Sequence, residues 1–128
     1  MNKKMPITIP AEKIQQLETL RNSITNDSVL LFSEDWNQLD RKQAWMLDTE
    51  KYVFLRSYRT IVAVFVKDEG VIYAFGRYSP STTNHITRLK QEMSKQYADV
   101  AVENCELENW YTDGTLQEVR ENKRYGWN

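Results

Sequence analysis

The chain contains one cysteine, one histidine, four glycines and three prolines among 128 residues. The lone Cys105 excludes an internal disulfide framework and a zinc cluster built on paired cysteines, so a reducing, cytoplasmic setting is expected. The lone His85 leaves no histidine pair for a metal site or a catalytic relay, and neither metal nor cofactor is expected. Scarce glycine and proline, with 41% hydrophobic and 27% charged residues, argue against disorder along most of the length. No window approaches the ~20 apolar residues that span a bilayer, and no membrane association is expected. The opening MNKKMPITIP has two lysines without an apolar run behind them, so it is not expected to act as a secretory signal. A formal net charge of −1 provides no global field to steer a partner.

What is present is aromatic and locally well ordered. Four Trp, seven Tyr and four Phe supply a core for one domain, residues 1–128. Residues 1–9 are expected to be a loose arm and 122–128 a tail that frays, unless Trp127 docks on the domain or on a second copy. Pro10 opens a helix whose apolar stripe is Ile14, Leu17, Leu20 and Ile24, and the cluster from Thr25 to Ser28 stops it. Val29 to Phe32 is short and apolar, and a strand is expected there. Ser33 suits a helix cap, with Trp36 and Leu39 on one face of a short turn. Gln43 to Asp48 is extended, followed by a turn at 48–50.

The clearest strand runs from Lys51 to Lys67. Simple alternation sets Ile61, Ala63 and Phe65 against Val62, Val64 and Val66, so both faces are apolar and the strand is central. Gly70 allows a turn, and Val71 to Tyr78 returns antiparallel. Ser79 caps the next helix, with Pro80 at its first position. Its buried seam is Ile86, Leu89, Met93 and Tyr97. Strand-like alternation resumes at Val100 and Val102, with Leu107 and Trp110 beyond. The fold class is therefore α+β, with an antiparallel sheet of about four or five strands and two packed helices.

Three groups of side chains have chemistry beyond packing. Asp99, Glu103, Glu106, Glu108 and Asp113, with Trp110 and Tyr111 among them, lie in a stretch from 99 to 118 without lysine or arginine. Such a run suits a solvated edge, and equally offers carboxylates to a basic groove on a partner protein. Arg56, Tyr58, Arg59, Arg77 and Tyr78 are the alternative, a basic and aromatic sheet face for nucleic acid. Ser79 and Thr82 at the helix start, with His85 a turn later, form a weaker polar candidate, for which capping and packing are the plainer roles. No catalytic set is recognisable, so an enzyme is not expected.

The segments LRSYRTIVAVF (55–65) and YSPSTTNHITRL (78–89) resemble a group of small, uncharacterised proteins of phages, plasmids and conjugative elements from Gram-positive bacteria. The matching residues are Leu55, Ser57, Tyr58, Thr60, Ile61, Val62 and Ala63, then Tyr78, Ser79, Thr82, Thr83, His85 and Ile86. The resemblance implies an α+β fold and a mobile-element origin, and brings no catalytic role with it. Together with the acidic stretch it leads to the expectation of a non-enzymatic accessory protein that binds a host macromolecule. The sharpest form is an inhibitor of a bacterial defence nuclease. A small nucleic-acid-binding regulator is the alternative, and a homodimer is compatible with either.

Overall fold

The computed structural model describes residues 9–41 and 43–108. Three helices and six strands occur in the order α1 (Ala11–Thr25), α2 (Ser28–Leu31), β1 (Asn37–Asp40), β2 (Ala44–Asp48), β3 (Tyr52–Ser57), β4 (Thr60–Val66), β5 (Val71–Gly76), α3 (Pro80–Met93) and β6 (Ala101–Glu108). They build one α+β domain around a single mixed sheet of order β1-β2-β3-β4-β5-β6. The expectation of four or five antiparallel strands and two helices is corrected in number and in direction. The first five strands form an antiparallel meander, whereas β6 runs parallel to β5. The reason is the connection, since a chain that leaves β5, crosses through α3 and returns must run the same way again.

Two separate cores cover the two faces of the sheet. Ile86, Leu89 and Met93 of α3 pack with Val53, Leu55, Ala63, Phe65 and Ile72 on one side. Leu17 and Ile24 of α1 pack with Phe54, Val64, Tyr73 and Phe75 on the other. The doubly apolar pattern around residues 61–66 is thus the signature of a central strand, as expected. Its alternation is not simple, however. The register moves from Leu55↔Ala63 to Arg56↔Ile61, leaving Val62 as the extra residue of a β-bulge. Ile61 consequently joins Val64 and Val66 on the α1 face, and Val62 joins Ala63 and Phe65 on the α3 face.

Three local expectations are overturned. Residues 51–67 are two strands, because the chain reverses at Tyr58 and Arg59, where no glycine, asparagine or proline announces a turn. Val29 to Phe32 is not a strand. Residues 28–31 form α2, capped by Asp27, whose carboxylate accepts from the Leu30 amide at 3.0 Å. A four-residue apolar run fits either conformation, and the cap decides it. Leu39 belongs to β1 rather than to a helical turn, and Ser33 Oγ accepts from the Asp35 amide at 3.3 Å in a local turn.

The α3 boundary agrees with expectation in detail. Ser79 is the N-cap, its hydroxyl accepting from the Thr82 amide at 3.4 Å, and Pro80 follows. Tyr97 falls beyond the helix end but still packs edge-on against Phe65, with ring centroids 5.0 Å apart. Of the proposed arm, Ile9 is described and packs on the α1-side core. The tail at 122–128 lies outside the described residues.

Candidate functional site

One end of the domain gathers the β3–β4 turn, the start of α3 and the end of α2. On the α3 side, Ser57 is the last residue of β3 and lies beneath the first turns of α3. Its hydroxyl is 2.7 Å from His85 Nδ1 and 3.0 Å from Thr82 Oγ1. Ser57, Thr82 and His85 are 2%, 8% and 3% exposed. A serine hydroxyl beside an imidazole nitrogen has the spacing of a nucleophile and its base. Sealed this completely, the pair instead joins a sheet end to a helix through hydrogen bonds, each contributing about 1 kcal/mol.

The lock supports a strained turn. Tyr58 has φ of +58°, and Gln43, in the neighbouring β1–β2 turn, has φ of +76°. Each costs roughly 1–2 kcal/mol for a residue with a Cβ. The Tyr58 amide donates to the Gln43 carbonyl at 2.8 Å, so the two turns brace each other. The Tyr58 ring lies 5.6 Å from the His85 ring and is 47% exposed. An aromatic side chain is thereby held at the surface by groups beneath it.

On the α2 side of the same end, Arg56 enters the core at 8% exposure. Its guanidinium lies 4.9 Å from the Trp36 ring, 5.3 Å from Trp45 and 5.3 Å from Phe32, and Nη1 donates to the Leu31 carbonyl at the end of α2. Nε is sealed and without a hydrogen-bond partner. Burial, and then the nearby charge of Arg59, lower the pKa of Arg56 from the ordinary arginine value. Arg59, in the turn, covers the half-exposed Phe32 ring at 4.8 Å. Ring faces attract a cation, and three of them partly offset its desolvation.

The sheet's far edge is acidic. As the outermost strand, β6 pairs with β5 alone among the described strands. It carries Glu103, Glu106 and Glu108, with exposed Asp99 (φ +56°) at its approach. Glu106, also left-handed at φ +53°, pairs with Arg77 at 2.8 Å. Trp110 and Asp113 lie outside the described residues. Alternation gives Cys105 to the α1-side core, while Asn104 reaches the Gly76 carbonyl at 2.7 Å. A groove of about 520 Å³ separates β6 from α3, lined in part by Gly76, Arg77, Tyr78, Thr83, Ile86 and Asn104. Among the described residues no three His, Cys, Asp or Glu side chains gather to hold a metal ion. No described helix is long and apolar enough to cross a membrane.

The five residues expected to share one basic face do not share it. Arg56 is buried among the rings on the α2 side, Tyr78 packs on the α3-side core, and Arg77 is engaged with Glu106. Tyr58 and Tyr78 do not face each other across a hairpin, because β4 lies between β3 and β5. Tyr58 and Arg59 alone stay together at the surface. The weaker polar group comes together better: Ser79 caps α3 and Thr82 meets His85's partner, with Ser57 as the residue that joins them. The aromatic surroundings of Arg56 are also new. The observed register places Trp45 opposite Arg56, three residues from where a turn at 48–50 would put it, and Phe32 and Trp36 arrive from more distant chain and leave no local signal.

No curated protein and no solved structure matches this chain. A family does: the match spans residues 13–104, from α1 into β6, and includes the Ser57–Thr82–His85 lock and the Tyr58 turn. The chain therefore belongs to DUF8033, a family of unknown function.

Proposed function

We propose that the protein is a non-enzymatic accessory protein of a phage or other mobile element, and that it binds a host macromolecule in the host cytoplasm through its acidic outer strand. In its sharpest form the partner is a nucleic-acid-processing defence enzyme, whose basic groove takes the carboxylates in place of phosphates. The observation that carries this reading is the placement of the acidic residues: Glu103, Glu106 and Glu108 lie on the strand that ends the sheet, with Asp99 at its entry. The Arg77–Glu106 pair is open to solvent on both sides, so a partner's cation can replace Arg77 at little cost. Mobile-element origin is supported by the resemblance of residues 55–65 and 78–89 to proteins of phages and conjugative elements.

The test is affinity capture from a bacterial lysate, with and without nuclease treatment, by the full chain and by a Glu103→Lys, Glu106→Lys, Glu108→Lys variant. A nucleic-acid-processing protein held through nuclease treatment by the natural chain and lost by the folded variant is the expected result. Equal capture by both chains removes the acidic mechanism.

A further inference from the structure

Arg56 and Arg59 are two cations on one aromatic ring, and no acid among the described residues answers them. The Phe32 ring lies 5.3 Å from one guanidinium and 4.8 Å from the other. Neither arginine forms an ion pair with any described carboxylate, whereas Lys13, Lys67, Arg77 and Lys95 all do. The charges also repel, since Arg59 contributes to holding Arg56 below its ordinary range. A charge that is more than nine-tenths buried is normally paired, and three ring faces with one carbonyl are a partial substitute. Nη1 is taken by Leu31 and Nε is sealed, so Nη2 is the nitrogen of Arg56 left to meet a ligand.

We propose that Arg56 and Arg59, with Phe32 between them, form a binding site for the phosphate of a nucleotide or of a single-stranded nucleic acid. Phosphate fits because the exposed Arg59 guanidinium offers a planar fork to its oxygens and Arg56 adds a second charge on the same ring. Nucleic acid is favoured over an acidic peptide because the exposed ring surface adjoins the cations. Phe32 is 46% exposed and Tyr58, beside Arg59 in the turn, is 47% exposed. Bases stack on such rings, while a carboxylate has no use for them. Strain points the same way, for Tyr58 is held left-handed by Gln43 and backed by His85, which fixes its ring before any ligand arrives. The site shares no residue with the acidic strand, so the inference stands independently of the proposed function.

Fluorescence anisotropy of a short labelled oligothymidine, titrated with the full chain, tests the proposal, with adenosine monophosphate and a polyglutamate peptide as competitors. Arg59→Gln removes the exposed guanidinium from a turn and is expected to weaken binding about tenfold and to lower the salt dependence. Arg56→Lys keeps the charge but loses the planar group that the three rings and the Leu31 carbonyl hold in place, and should weaken binding as well, while Arg77→Gln, a surface arginine elsewhere, should leave it unchanged. Competition by the mononucleotide at concentrations near those of the oligonucleotide identifies a free nucleotide as the ligand; much weaker competition identifies the strand. Either supports the phosphate site. Absence of binding at millimolar ligand, equal loss in Arg59→Gln and Arg77→Gln, or tighter binding of polyglutamate than of either phosphate ligand would overturn it.

Discussion

The β3–β4 turn and the β6 strand are opposite solutions to the presentation of charge. The turn offers arginine and aromatic rings on a locked support: Ser57, Thr82 and His85 lie beneath it, and Gln43 braces it from the side. The outer strand offers carboxylates on a sheet edge that pairs with β5 alone among the described strands, with the solvent-exposed Arg77–Glu106 ion pair on its inner flank. A net charge of −1, from 17 Lys and Arg against 18 Asp and Glu over the whole chain, conceals this division. Total charge constrains a protein's surroundings, whereas recognition depends on where the support is rigid.

The sharpest way to break the comparison is to reverse one surface and leave the other. Lysine at 103, 106 and 108 should weaken partner binding by about a hundredfold or more, while oligothymidine binding stays unchanged or tightens. Calorimetric titration of both ligands against the same variant reads the separation. Next in size is the lock itself. His85→Ala leaves the Ser57 hydroxyl short of a partner in a sealed site and should cost about 2 kcal/mol. Urea denaturation should show this, with the double variant Ser57→Ala, His85→Ala losing less than the sum of the two singles. Partner binding through β6 should survive in folded His85→Ala, because Ser57, Thr82 and His85 join β3 to α3 and none of them belongs to β6.

Tyr58→Gly sharpens the contrast from the other direction. Glycine relieves the positive φ but gives up the ring contact with His85, so stability should change by less than about 1 kcal/mol. Oligothymidine binding should fall nonetheless, which separates the ring's role in presentation from any role in folding. Arg77→Gln is the smallest change expected. It opens an exposed ion pair, and the urea midpoint should move by less than about 0.5 kcal/mol equivalent.

A third charged group, Lys13–Glu69–Tyr73, lies on the α1 face and serves as a control for pH. Burial works to raise the Glu69 carboxyl, but hydrogen bonds from Lys13 and Tyr73, with the charge of Lys13, hold it below its usual value. Its contribution to stability is present above the unfolded carboxylate pKa of about 4.3 and is lost as pH falls through the folded value. Burial, then the hydrogen bond to Glu69 and its charge, push the Tyr73 phenol above its ordinary range. That contribution is complete below about pH 10 and declines as pH rises further. Melting temperature against pH should lose both increments in Glu69→Gln.

How much the sequence revealed follows from where each signal is encoded. The cap and seam of α3 were readable because Ser79, Pro80, Ile86, Leu89 and Met93 state them within one helix. The apolar character of residues 61–66 was readable for the same reason, although the bulge at Val62 was not, since it depends on pairing with β3. The turn at Tyr58 was hidden because its left-handed residue is a tyrosine, supported by Gln43 and His85 from other segments. Arg56 appeared to belong to a surface because arginine usually does. Only the meeting of α2, β2 and β3 shows the rings that enclose it.

The most direct measurement is amide chemical-shift mapping of the isotope-labelled full chain as the captured host partner is added. The account predicts shifts concentrated at residues 99–108, with Ser57, Tyr58 and Arg59 unmoved. Shifts confined to the β3–β4 turn, with the outer strand silent, would contradict it.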